Sequence, residues 1–250
     1  MKAMSFIQFI NENEDKEVTF ITAIAKNLIS RIGSTRSFEE NEYLSLAGME
    51  FKEPFLFDLI LNIKRDPNPD SNSDSHFRGL PWEELNFKEK GYMIDANTKM
   101  NKEEMVIPKI EIHIILNPKK EPSCYGELYY RLVDILAHET NHLDQVGINR
   151  DHPNTRVSSQ KNRKLAKKSN EYFLLPEEIE SMVKGMYTRA VAEDRYLDEI
   201  FFEYLKPFVK TGYITKEEFK TTMREWITHA IERYPDAKLS SNSDPIVNSL

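Results

Sequence analysis

His138 and His142 stand four residues apart in a stretch, from about Tyr125 to Val146, where Leu128, Leu132, Leu136 and Leu143 recur at helical spacing. This pairing constrains the chain more than any other feature. It asks for a helix at that point and for an occupant of the face that both imidazoles share. The five residues read His138-Glu139-Thr140-Asn141-His142. On a helix, both rings reach one metal ion, and the Glu139 carboxylate lies beside it. There it can take a proton from a water molecule attacking a carbonyl. Neutral imidazoles leave the charge of a zinc ion uncancelled, which suits it to that work.

The flanking sequence gives a mixed pattern. Residues 18–32 place Phe20, Ile24, Leu28 and Ile32 close to the helical period and predict an amphipathic helix ending near Gly33. Residues 54–64 are apolar but too short to decide between a buried strand and a three-turn helix. Residues 66–76, DPNPDSNSDSH, cannot fill a core and read as a linker or long loop. The expected organisation is a small N-terminal region over 1–65, a main domain over 77–236 and a frayed tail over 237–250. The alternative is one domain with a long surface loop. After Pro108 a strand is predicted, with Ile110, Ile112, Ile114 and Leu116 on one side and Glu111, His113 and Ile115 on the other. The histidine helix should stop at Gly147. Pro176 opens a helix expected to run to about Leu205, with Glu177, Glu178 and Glu180 in its first turns. Thr215 and Glu218 form a capping box for a last helix over 215–233.

Charge and cysteine usage narrow the function classes. The chain has 34 Lys+Arg against 41 Asp+Glu, a net charge of −7, so it has no general attraction to phosphate backbones or anionic lipid. The basic run from Arg150 to Lys168 contains no aromatic residue and reads as a solvated loop, so a nucleic-acid partner is not expected. A single cysteine, Cys124, excludes an intramolecular disulfide and a zinc site of several thiolates, and suits a reducing, cytoplasmic setting. No stretch of 18 apolar residues suggests a membrane span, and the N-terminus lacks the features of a secretory signal.

The motif and its surroundings, from about Ile110 to Arg189, resemble the zincin metallopeptidases of the gluzincin type, which take a third metal ligand from a glutamate on a later helix. The resemblance implies an α+β fold: a zincin-like domain with an active-site helix, a short mixed sheet and a mainly helical C-terminal part. It also implies a Zn2+ cofactor held by His138 and His142, Glu139 as general base, and the Ile110–Leu116 strand as the edge strand lining the substrate cleft. The segment Pro176–Ser181 is similar to the one carrying the glutamate ligand in zincin-like groups that include phage proteins. Glu178, Glu180 and His152 are the candidates for the third ligand. Glu178 is preferred because Ser181, three residues on, lets two helices approach. Glu177 and Glu180, rotated from it by about 100° and about 200°, should then face solvent.

Two departures from the family stand out. The aspartate expected four residues after the glutamate ligand is replaced by Met182, or by Lys184 if Glu180 is the ligand. In the family that aspartate is hydrogen-bonded to the first histidine, here His138, so its partner must come from elsewhere. The metzincin extension is absent, with Ile148 at its histidine position. Tyr172, Tyr187 and Arg189 are candidate donors to a developing oxyanion. Arg189 ranks first because it lies eleven residues, close to three turns, past Glu178, whereas Tyr187 faces away. The implied activity is zinc-dependent hydrolysis of peptide bonds in a protein or peptide substrate. The competing class is a structural or interaction protein that keeps the fold without catalysis. Histidine protonation below roughly pH 6 should compete with the metal.

Overall fold

The computed structural model describes residues 6–34, 44–45, 57–69, 77, 80–99, 109–145 and 170–240. Pro108, the end of the histidine helix at Gly147, the basic run with His152, and residues 241–250 lie outside them.

The undecided apolar segment is a strand. In β2 (Asp58–Arg65) Leu59, Leu61 and Ile63 are buried on alternate positions, as a half-covered strand requires. β2 runs parallel to β4 (Lys109–Leu116), with Leu59, Leu61 and Ile63 opposite Ile110, Ile112 and Ile114. β3 (Tyr92–Lys99) lies antiparallel on the other side of β4, and the short β1 (Leu44–Ser45) is antiparallel to β2. Among the described residues the sheet order is therefore β1-β2-β4-β3. The expected facing of Ile110, Ile112 and Ile114 away from Ile115 holds: the first three join the main core, while Ile115 packs with Phe77, Phe87 and Met93.

One expectation is corrected here. The Ile110–Leu116 strand is internal, and the strand beside the candidate site is β3. Its sequence, YMIDANTK, gives little apolar alternation because Tyr92, Met93 and Ile94 are buried on both faces and the residues after them are mostly polar. The helix α2 (Pro81–Lys90) delivers the chain to β3 through Gly91, whose φ of 92° favours glycine. A Cβ there would also lie 2.7 Å from Lys120 Cβ.

The main core joins the sheet to two helices. From α1 (Phe6–Ser34), Ile21, Ile24, Leu28 and Ile32 are fully buried with Leu128, Leu132 and Leu136 of α3 (Tyr125–Gln145). Each such aliphatic side chain contributes about 1.5–3 kcal/mol on removal from water. Residues on either side of 66–76 thus share the sheet and the main core.

A second apolar cluster holds the C-terminal helices together. It comprises a 3-10 turn (Asn170–Leu174), α4 (Pro176–Glu193), α5 (Leu197–Lys210) and α6 (Lys216–Arg233), packed around Phe173, Phe201 and Trp226. The helix expected to run from 176 to about 205 is in fact two helices. Asp194, at φ 54° and ψ 45°, ends α4 in the left-handed region, and the Arg195 N–H closes on the Ala190 carbonyl. Aspartate tolerates that region better than most residues, so no glycine announces the break. The capping box of α6 forms as expected: Glu218 N–H donates to Thr215 Oγ1 at 3.2 Å, and Thr215 N–H donates to Glu218 Oε2 at 2.7 Å.

Candidate metal centre

Two helices meet where small residues let them. Ser181 on α4 is fully buried, and Gly185 lies so close to α3 that a Cβ would stand 2.6 Å from the Asp134 carbonyl oxygen and 3.3 Å from His138 Cβ. The contact brings the first turn of α4 over the histidine face of α3.

At that crossing His138 Nε2 and His142 Nε2 are 3.0 Å apart, and Glu178 Oε2 lies 3.7 Å and 3.5 Å from them. Two donors about 2.0–2.1 Å from a tetrahedral zinc stand about 3.3 Å apart, so the three atoms fit one ion. His138, His142 and Glu178 are the group of His, Cys, Asp and Glu side chains suited to hold a metal among the described residues. With Glu139 inside the motif, this triad matches the active-site geometry of gluzincin-type zinc proteases.

Charge at the site fits a cation. Burial alone raises the pKa of Glu178, but the hydrogen bond and charge of His142, the charge of His138 and a hydrogen bond from Tyr172 outweigh it and hold the carboxyl at about 2. His142 moves the other way. Burial disfavours its charged form, yet the Glu178 hydrogen bond and charge raise its pKa above the ordinary value. A hard positive charge between these groups would replace the shared proton.

The tautomer of His142 follows from its neighbour. Gln145 Nε2 donates to the Glu177 carbonyl at 2.8 Å, to Glu180 Oε2 at 3.1 Å and to Ser181 Oγ at 3.2 Å. Three acceptors fix the amide nitrogen on that side, so Gln145 Oε1 faces His142 Nδ1 at 2.9 Å. With Nδ1–H donating to Gln145 Oε1, and the Ser181 hydroxyl 3.2 Å from the same nitrogen, Nε2 keeps its lone pair for the metal. Gln145 thus holds the second histidine, whereas the missing aspartate would have met the first, His138. Gln145 sits one turn past His142, a position the sequence reading passed over.

Glu139 is buried and accepts a 2.6 Å hydrogen bond from Thr98 Oγ1, while its Oε1 lies 4.0 Å from His138 Nε2. Thr98 arrives through the sheet register: it is opposite Ile110, on the same face of β3 as Ile94 and Ala96. Burial raises the pKa of Glu139, and the nearby Glu178 and Asp95 add to the rise against His142 and Thr98. The shift moves it toward the range useful to a base at neutral pH.

Other expected residues fall differently. Tyr172 lines the cavity beside His138 and Glu139, and burial and the Glu178 charge raise its pKa well above the ordinary value, so its hydroxyl stays a donor. Phe173, buried among Phe208, Tyr204 and Trp226, holds the turn that carries it, and Trp226 Nε1 donates to the Phe173 carbonyl at 3.0 Å. Arg189 is not brought to the triad. Eleven residues put it about 16 Å along α4 from Glu178, and its Nε pairs with Glu193 Oε1 at 2.5 Å. Glu177 is buried instead of facing solvent, and the partly buried Glu180 meets Gln145. His113 lies 3.8 Å from Glu111, and Cys124 is a buried free thiol. Arg131, seven residues before His138 and on the same face of α3, lines the cavity and pairs with Asp134; the sequence reading did not single it out. No described helix is long and apolar enough to cross a membrane.

Compared with known proteins, the chain matches no family model, no curated protein and no solved structure.

Proposed function

We propose that this chain is a zinc-dependent hydrolase of peptide bonds, with His138, His142 and Glu178 as metal ligands. The observation that carries the reading is the convergence of three buried ligand atoms on one point with the Glu139 carboxylate beside them. A zinc ion at that point supplies a Lewis acid next to the scissile carbonyl. Glu139 accepts a proton from the attacking water, whose oxygen adds to the carbonyl carbon. The carboxyl then hands that proton to the leaving amine as the C–N bond breaks. Thr98 fixes the carboxylate for both transfers, and its bond to Oε2 leaves Oε1 toward the metal side. Tyr172 is the donor for the developing oxyanion, in the place expected of Arg189, because it lines the same cavity as His138 and Glu139. A cytoplasmic setting belongs to the same proposal, supported by the single, buried, unpaired cysteine.

Protein purified without added metal should contain about one zinc per chain, and the His138→Ala/His142→Ala double variant should contain none. Glu139→Gln should keep the metal and lower peptide hydrolysis by at least ~10²-fold. Full zinc content in the double variant, or equal turnover by Glu139→Gln, removes the proposal. Bound zinc with no cleavage of any peptide transfers it to the structural or interaction class.

A further inference from the structure

The candidate metal centre opens on one side into a cavity of about 420 Å3 that His138 and Glu139 share with the C-terminal helices. The walls away from the metal are rings. Trp82 lies with its centroid 4.5 Å from Phe208 and 4.6 Å from Tyr213, and Phe173 lies 4.9 Å from Phe208. All four line the space. Its volume is near the lower end for ligand pockets, enough for one large side chain and adjoining backbone.

The remaining wall is polar but internally matched. The Arg131 guanidinium sits 4.9 Å over the Tyr204 ring and pairs with Asp134. Glu83, almost wholly buried, accepts from the Ile94 N–H at 3.0 Å and from Asn86 Nδ2 at 3.2 Å. An anionic guest would meet Glu83, Asp95, Asp134 and Glu139. A cationic one would lose its water among the rings for little return, since Asp134 is already paired with Arg131, Glu83 is bonded to Ile94 and Asn86, and Glu139 to Thr98. A neutral guest escapes both penalties. Among neutral guests, a ring gains edge and face contacts with the aromatic walls and with a desolvated guanidinium, which an aliphatic chain does not.

We propose that this cavity is the specificity subsite, and that it takes an aromatic side chain of the substrate next to the cleaved bond. The inference rests on the hydrolase reading for its catalytic half, while its binding half stands on the cavity alone. Both halves are measurable on the full, zinc-loaded chain. Fluorescence-quenched peptides differing at one position, Tyr, Phe, Leu or Ala, are scored by kcat/KM, with the cut site read by mass spectrometry. Cleavage should fall beside the aromatic residue, at about 10²-fold higher kcat/KM than for alanine and about 10-fold higher than for leucine. Trp82→Ala and Tyr213→Ala, two partly exposed positions, should each shrink the aromatic-to-alanine ratio by about 10-fold.

Binding is read separately in Glu139→Gln. Trp82 lines the cavity, and the chain's other tryptophan, Trp226, is fully buried. The phenylalanine peptide should therefore change the emission saturably, and the alanine peptide should not. Equal cleavage across the series, or an aromatic preference untouched by both variants, overturns the subsite. If no peptide is cleaved but the phenylalanine peptide saturates the emission change, the subsite stands and the hydrolase reading falls. Neither cleavage nor an emission response overturns the subsite as well.

Discussion

Two clusters of charged side chains are built along α4, one at each end, and they solve their electrostatics in opposite ways. Toward the C-terminal end, Arg189 and Arg195 face Glu193 and Glu203. Arg189 Nε lies 2.5 Å from Glu193, and Arg195 lies 3.1 Å from Glu193 and 2.7 Å from Glu203. Burial alone raises the pKa of Glu203, but the Arg195 hydrogen bond and charge lower it below the ordinary value. Each carboxylate there already has a guanidinium, although the neighbouring cavity, about 470 Å3, is similar in size to the one beside the histidines. At the N-terminal end, Glu178 faces two imidazoles whose Nε2 atoms stand 3.0 Å apart. A proton or a metal ion can hold that arrangement, and only the metal uses all three ligand atoms at once. Cavity size is thus a poor guide to chemistry here, and convergence of ligand atoms is a better one.

The sharpest way to break this contrast is to remove the carboxylate from the histidine cluster. Glu178→Ala should weaken zinc binding by about 10²-fold or more, since two imidazoles alone leave the site one ligand short. Glu180→Ala removes only an acceptor of Gln145 and should cost no more than about 10-fold. A zinc titration in which Glu180→Ala gives the larger loss, or His152→Ala does, would assign the third ligand elsewhere.

The next effect is set by protons. Glu178, held at about 2, is ionised throughout the ordinary pH range and needs no proton removed before it binds metal. His142 differs: its raised pKa means that the metal-free site holds a proton on this ring above pH 6.5. Zinc must displace it, so affinity should fall as pH drops through that pKa, by about 10-fold per pH unit below it. The decline should begin at a higher pH than a free histidine would give. Gln145→Ala removes the acceptor that holds Nδ1–H and should weaken zinc by about 10-fold when compared with the unchanged chain at one pH, 8. Zinc affinity that is flat from pH 8 to pH 5.5 would contradict the first claim, and an unchanged affinity in Gln145→Ala the second.

The histidine cluster was legible in the sequence, and the reasons are local. The i,i+4 histidines, the adjacent glutamate and the Pro176 start need nothing beyond the helical period. Glu178 with Ser181 follows from the same geometry one helix later. The rest depended on long-range pairing. Thr98 reaches Glu139 only because β3 runs antiparallel to β4 in one register, which a polar edge strand does not advertise. Gly185 reads as a helix-weakening residue until its contact with Asp134 is seen. Arg131 was detectable in principle, two turns before His138 on one face. Arg189 was chosen on angular position alone, and angle says nothing of the distance along the axis.

Arg189 supplies the smallest expected change in activity and the clearest separation of the two clusters. Arg189→Gln keeps much of the side chain's volume and removes the charge that Glu193 meets at 2.5 Å. Glu193 retains Arg195 at 3.1 Å, so the loss is partial, and stability should fall by about 2 kcal/mol, the scale of one charge-assisted hydrogen bond. Peptide hydrolysis should stay within about threefold of wild type, less than half the free energy expected from a lost oxyanion donor. Glu139→Gln should show the reverse: hydrolysis lost, with a far smaller change in the urea midpoint. The two variants therefore cross in a plot of stability against turnover. A loss of 10²-fold or more in kcat for Arg189→Gln, at unchanged zinc content and with a folded circular-dichroism spectrum, would put Arg189 back in the reaction and Tyr172 out of it.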